Sequence, residues 1–94
     1  MSNEQPQEIK IADNIPGAEY TNAAYISHNS EEFQLVFTNI MAPSGRVVSK
    51  LITTPGHFKR MINAMNDNLQ KYEAQFGKIN EAEPVNDKEI GFRE

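Results

Sequence analysis

Two histidines are the residues whose side chains could most readily do acid–base or metal chemistry. His28 falls in a predicted strand and His57 in the first turn of a predicted helix. A histidine base can act on a serine nucleophile that is held on a strained, glycine-flanked turn, but no serine of the chain has that setting. Two histidines that are not spaced i,i+4 on one helix are also poor metal ligands. We therefore predict no catalytic residues, no metal site, no cofactor and no enzymatic activity.

A basic segment is the strongest sign of ligand binding. No acidic residue occurs between Glu32 and Asp67. The first amides of a helix carry partial positive charge and attract anions. The candidate residues for binding an anion or a nucleotide-like ligand are Thr54, Gly56, His57, Lys59, Arg60, Arg46 and Lys50. The alternative is that Thr54 only caps the helix and that the cations keep the surface soluble.

Nucleic-acid binding through the same basic residues is a further alternative. Such binding usually combines clustered cations with exposed aromatic side chains or a recognition helix. The chain carries a net charge of −4, which disfavours a general nucleic-acid binder. That charge comes from the two ends, because residues 20–78 contain four acids and six bases.

Length and composition predict one small domain without covalent cross-links. The chain has 94 residues and no cysteine, so no disulfide or cysteine-based metal site is available. No apolar run approaches the roughly 18 residues of a membrane span. The polar, acidic start of the chain is unlike a signal peptide. We predict a cytoplasmic protein that does not interact with membranes.

A long amphipathic helix is predicted between Thr54 and Gly77. Thr54 is a good N-cap, Pro55 suits the first helical position, and Gly77 suits the end. Between them, apolar residues spaced alternately by three and four positions line one face of the helix for about six turns. These are Phe58, Ile62, Met65, Leu69, Tyr72 and Phe76.

Three strands are predicted before the helix, over residues 20–28, 31–41 and 46–53. Their short connections favour an antiparallel meander. The predicted fold is therefore α+β, a three-stranded antiparallel meander followed by one long C-terminal helix. A short strand at 8–11 would make a fourth. Residues 1–16 form a flexible acidic arm, 17–79 the single domain, and 80–94 an acidic, disordered tail.

Self-association is the main structural expectation. The patterned core is about 60 residues, and a domain of that size is marginally stable alone. The second and third strands carry apolar residues on both faces, and one helix covers one face of a sheet. The three-and-four spacing on the helix also suits a seam between two helices. We predict a homodimer or higher oligomer, with the six apolar helix residues in the contact. The alternative is that they pack only on their own sheet.

A set of short motifs resembles one known family. They are Gly17-x-x-Tyr20-x-Asn22, Glu32-Phe33, Pro43, Val47-Val48-Ser49-Lys50-x-Ile52, Pro55-x-His57-x-Lys59, Asn68-Leu69, Tyr72-Glu73 and Phe76-Gly77-x-Ile79. In this order they resemble the bacterial and archaeal domain of unknown function 3467. The chain departs from the family pattern at Lys50, where an arginine is expected, and at Val36, where an aspartate is expected.

The resemblance implies a small prokaryotic or phage protein but no reaction and no catalytic residue. The functional prediction is a non-enzymatic homo-oligomeric interaction module. Its partner is a second copy of the chain, with another protein as an open alternative. Binding of an anion or a nucleotide-like ligand and binding of nucleic acid remain the two alternatives.

Overall fold

The computed structural model describes residues 7–81 and contains one sheet and one helix. The strands are β1 (Ala23–His28), β2 (Phe33–Met41) and β3 (Ser44–Thr53), and they form an antiparallel sheet in the order β1-β2-β3. Helix α1 (Pro55–Phe76) follows directly. The predicted α+β fold, a three-stranded meander with one C-terminal helix, is confirmed.

The predicted segments at the two ends are only partly described. Residues 8–11, considered above as a fourth strand, do not join the sheet. Residues 1–6 of the predicted arm and residues 82–94 of the predicted tail lie outside the described residues. Within 7–81, no helix has the length and apolar character needed to cross a membrane.

Strand β1 begins three residues later than predicted, and before its first residue most of the hydrogen bonds to β2 come from side chains. The Asn22 amide Nδ2 donates to the Ile40 carbonyl, and the Ile40 N–H donates to Asn22 Oδ1, both at 2.8 Å. The Thr21 hydroxyl donates to the Thr38 carbonyl at 2.8 Å. These side chains form hydrogen bonds with the backbone groups of Thr38 and Ile40, so those groups have partners although β1 does not begin until Ala23.

A turn built on Asn29 joins β1 to β2. Asn29 Oδ1 accepts hydrogen bonds from the N–H groups of Glu31 and Glu32, at 2.8 and 2.9 Å. The Asn29 N–H in turn donates to the Glu32 carbonyl at 3.0 Å. An asparagine that bonds the backbone two residues on is a common turn device. The predicted turn at this point is confirmed.

The hairpin between β2 and β3 is tighter than predicted. Only Ala42 and Pro43 separate the strands, and the bond between these two residues is cis. Farther along, Phe37 pairs with Ser49 and Thr38 pairs with Val47. Val48 therefore has no partner on β2 and forms a bulge, which increases the local twist of the sheet.

Helix α1 has the predicted ends. The Thr54 hydroxyl accepts the His57 N–H at 3.2 Å, and Pro55 occupies the first turn. Gly77 has a φ of 92° and its N–H donates to the Glu73 carbonyl at 2.9 Å; a positive φ of this size favours glycine. The Glu73 carboxylate also accepts the Ile79 N–H at 2.9 Å. Local residues thus supply hydrogen bonds at both ends of the helix, where backbone groups lack partners within the helix.

The core of the described chain is very small. Leu35, in the middle of β2, is 3% exposed, and Thr38 is the other buried residue among 7–81. No residue of α1 is buried. The helix meets the sheet near its first turns, where the rings of Phe58 and Phe33 stack in parallel with centroids 4.0 Å apart. The expectation that the helix covers one face of its own sheet holds only at that end.

Candidate self-association surface

The outer part of the predicted apolar face of α1 is open to solvent. Five large side chains recur every three or four residues along this face and are 42–65% exposed. They are Ile62, Met65, Leu69, Tyr72 and Phe76. Near the end of the helix the rings of Tyr72 and Phe76 lie 5.0 Å apart at an interplanar angle of 48°. A continuous exposed apolar face of this length is typical of a protein contact.

Phe58, the first residue of the predicted set, has a different position. Its ring stacks on Phe33 of the same chain, and the residue is half-buried. Phe58 therefore anchors the helix to its own sheet. The remaining five residues extend beyond this anchor, and we refer to them below as the helix stripe.

The opposite side of α1 is polar and uses local hydrogen bonds. Lys71 Nζ and the Asp67 carboxylate form an i,i+4 ion pair at 2.9 Å. The Asn68 amide donates to the Ala64 carbonyl one turn earlier at 3.3 Å. Exposed pairs of this kind contribute only a few tenths of a kcal/mol. The helix is therefore amphipathic, and beyond Phe58 the residues of its apolar side are exposed.

The sheet adds apolar side chains on the same face as the helix anchor. Ile26 on β1 and Leu51 on β3 both pair with Leu35 on β2, so the three lie in one row across the sheet. Leu35 is buried, but Ile26 and Leu51 are each 49% exposed. On the other face, Tyr25 and Ile52 are also more than half exposed. Apolar area is thus open on the helix and on both faces of the sheet.

The residues predicted to bind an anion do not form one cluster. Arg46 lies near the hairpin end of β3, where its guanidinium pairs with the Glu19 carboxylate at 2.9 Å. Thr54 follows the other end of β3, about 26 Å away along a strand that rises about 3.3 Å per residue. Lys50 is an exposed residue between them. Arg46 therefore belongs to a separate place on the surface.

The other predicted anion-binding residues lie together at the start of α1. The Thr54 hydroxyl is engaged as the N-cap, and the Arg60 guanidinium approaches Gly56, 3.6 Å from where a Cβ would stand. His57 and Lys59 lie exposed on the same first turns. Within the described ranges, neither Lys59 nor Arg60 forms an ion pair. Anion binding at this end of the helix stays a prediction.

The histidines lie in separate environments. His28 ends β1, with its ring 5.4 Å from that of Phe33, whereas His57 is on the first turn of α1. A shallow depression of about 140 Å³ beside His28 is lined by mostly polar residues. These are Ser27, His28, Asn29, Glu32, Gln34 and Ile52. No group of three or more metal-ligating side chains occurs in the part of the chain that the structure describes.

The predicted apolar face of the helix left out one residue, and the sequence did not predict which strand residues lie side by side. Met61 is half-buried on the first turns of α1, although the predicted stripe did not include it. Its position, three residues after Phe58, was the available signal. Ile26 and Leu51 were recognised as strand residues, but their pairing with Leu35 in one row depends on the register. That register is a tertiary property and cannot be read from the spacing within one strand.

Fold and surface together define the class of the protein. It is a small α+β domain whose helix is held to the sheet at one end and presents an uncovered apolar stripe over the rest of its length. The chain belongs to the family described as "Protein of unknown function (DUF3467)", whose model matches residues 1–81. The resemblance deduced from the motifs is confirmed. Neither the curated proteins nor the solved structures contain a match to the chain.

Proposed function

We propose that the chain is a non-enzymatic interaction module that works as a homo-oligomer, with the helix stripe as the central contact. The observation that carries the proposal is the lack of a core around the helix. Leu35 is the one buried apolar residue in the described range 7–81, while none of the 22 residues of α1 is buried. A domain this small is marginally stable alone, and a second copy would add the burial that the single chain lacks.

The area of the exposed surface is consistent with a dimer. The five stripe residues are 42–65% exposed. At about 150–250 Å² for a large side chain, they present roughly 500 Å² per chain. Two stripes facing each other would bury about 1,000 Å², the lower limit for a specific interface. Ile26 and Leu51 of both copies would raise this to about 1,350 Å² on the same basis. A twofold axis suits such a contact, because one stripe then meets its own copy.

The residues also support a structural role in preference to a catalytic one. His28 and His57 lie on different elements, and the exposed area is apolar where a catalytic site would need polar groups. The partner of the module is a second copy of the chain, and its setting is the cytoplasm of a prokaryotic or phage-infected cell. Another protein on the same stripe is the alternative partner.

Sedimentation equilibrium from about 0.1 to about 100 μM, a range chosen to bracket micromolar affinity, tests the proposal. We expect a mass of two chains, or a small multiple, at micromolar concentration and dissociation on dilution. Native mass spectrometry of the same sample gives the subunit count and shows whether a small molecule is retained. A monodisperse monomer over the whole range would overturn the proposal.

Binding of an anion at the start of α1 is a second candidate function. It is favoured by one observation: Lys59 and Arg60 lie on the first helical turns without an ion pair among residues 7–81, beside Gly56. The partial positive charge at the start of a helix and two cations would suit a phosphate group. We expect Lys59→Glu combined with Arg60→Glu to abolish a thermal shift caused by phosphate or nucleotides and to keep the fold. No shift with the unaltered chain would refute this candidate.

A further inference from the structure

The described part of the N-terminal arm carries three isoleucines that stay highly exposed, and none of its hydrogen bonds reaches the sheet. Ile9, Ile11 and Ile15 are 81%, 87% and 77% exposed. Ile9 and Ile11 alternate with charged residues, as in a strand with one apolar face. The one hydrogen bond found within residues 7–16 is local, from the Ile15 N–H to the Asp13 carboxylate at 3.1 Å. The family match includes this arm.

The arm leaves the domain at a defined place. The Arg46–Glu19 ion pair, at 2.9 Å, holds the chain next to the hairpin end of β3. Asn22 then ties the start of β1 to Ile40 at the end of β2. Residues 7–18 can therefore extend away from the domain, while their point of departure is fixed.

Strand β3 offers the arm an unoccupied edge. It is the last strand of the sheet, so alternate residues direct their N–H and C=O groups away from β2. Its ten residues span about 33 Å, and residues 8–15 would span about 26 Å when extended. An extended segment of the arm therefore fits along β3. Strand β1, the other edge, has six residues. At the same rise per residue it spans about 20 Å, which is too short for the whole segment.

Charge also favours β3 over β1. Between residues 7 and 19 the chain has three acids and one base, whereas β3 carries Arg46 and Lys50 and no acid. The charges of Arg46 and Glu19 neutralise each other. Without them, residues 7–18 carry a net charge of −1 and β3 carries a net charge of +1. Strand β1 contains no charged residue apart from the titratable His28.

We infer that the arm of one copy, residues 8–15, adds as a strand to the free β3 edge of a second copy. Ile9 and Ile11 then cover the exposed Leu51 on the helix face, and Glu8 and Lys10 lie on the face that carries Lys50. A second copy is the acceptor because the arm stands away from the sheet of its own chain. The inference needs two copies but does not need the helix stripe, so it and the proposed function can fail separately.

Disulfide trapping tests the arrangement, because the chain has no native cysteine. One batch of protein carries Ile11→Cys. A second batch carries Leu51→Cys and a tag, so that the two chains differ in size. The batches are mixed and oxidised mildly. Ile26→Cys is the matched control, since Ile26 has the same 49% exposure on the same face but lies on the opposite edge strand. We expect the yield of the disulfide between positions 11 and 51 to be at least five times the yield of the disulfide between positions 11 and 26.

Two further measurements complete the test. In a chain carrying both Ile11→Cys and Leu51→Cys, an intrachain link as the main product would show that the arm docks on its own sheet and would overturn the inference. Equal linking to Ile26, or no link between chains, would also overturn it. Replacing Ile9 and Ile11 by serine should raise the dimer Kd at least tenfold with unchanged circular dichroism. An unchanged Kd would overturn the inference while leaving the helix stripe in place.

Discussion

Leu69 lies in the middle of the helix stripe, and shortening it tests the proposed contact most directly. The side chain is 42% exposed. For a large aliphatic residue, this fraction corresponds to about 75 Å² of open area. Leu69→Ala removes about 50 Å² of it per chain, and a twofold contact doubles the loss. At about 25 cal/mol per Å², dimerisation weakens by about 2.5 kcal/mol. The Kd should therefore rise about 70-fold.

Alanine is the informative replacement because it favours helices at least as well as leucine does. A weaker dimer could then not be explained by melting of α1. Far-UV circular dichroism of the dilute protein should stay unchanged, and sedimentation equilibrium gives the Kd. Gln70→Ala, one residue along on the polar side, is the matched control and should leave the Kd unaltered. The reasoning would be refuted if Leu69→Ala had a Kd within twofold of the unaltered chain, or if both variants weakened the dimer equally.

Three further changes test the contacts inside one chain, each by chemical unfolding at a concentration where the chain is monomeric. Phe58→Ala should lower the free energy of unfolding by about 2.5 kcal/mol, because it removes a half-buried ring and its stack on Phe33; a loss no larger than that of Phe76→Ala would contradict the anchor. Thr54→Ala should cost about 1 kcal/mol, since it removes the N-cap bond to the His57 N–H, and a serine at this position should restore stability. Asn22→Ala should cost about 2 kcal/mol, because a hydrogen bond contributes about 1 kcal/mol and two are lost. Both of those bonds join Asn22 to Ile40, so hydrogen exchange at the Ile40 amide should accelerate; unchanged exchange would rule out this role for Asn22.

Local signals in the sequence predicted most of the secondary structure. The helix ends were predictable because a cap, a first-turn proline and a terminal glycine act on neighbouring backbone groups. The strands were predictable as elements and each ends at the predicted residue, but each starts two or three residues away from its predicted start. Ahead of β1, the Asn22 side chain forms two hydrogen bonds with Ile40, a residue 18 positions away. A contact between distant segments leaves no mark in the local pattern of either segment.

The sequence predicted the apolar face of the helix, but the structure gives one of its residues, Phe58, a different role. The helix spacing predicted one apolar face, and five of its six residues do form an open stripe. Phe58 was assigned to the same contact, but its ring is stacked on Phe33. The basic residues looked like one segment because they are close in sequence. An extended strand then places Arg46 and Thr54 about 26 Å apart.

By itself, the sequence determined the periodicities, the helix ends, the meander order and the family, because each depends on residue types at short, regular spacings. Only the tertiary structure decided which apolar residues are covered. Strand register brings Ile26, Leu35 and Leu51 into one row. The path of the chain after Thr54 brings Phe58 onto Phe33 but leaves every residue of α1 outside the buried core. Burial depends on the relative placement of whole elements, and periodicity along one element cannot specify that placement.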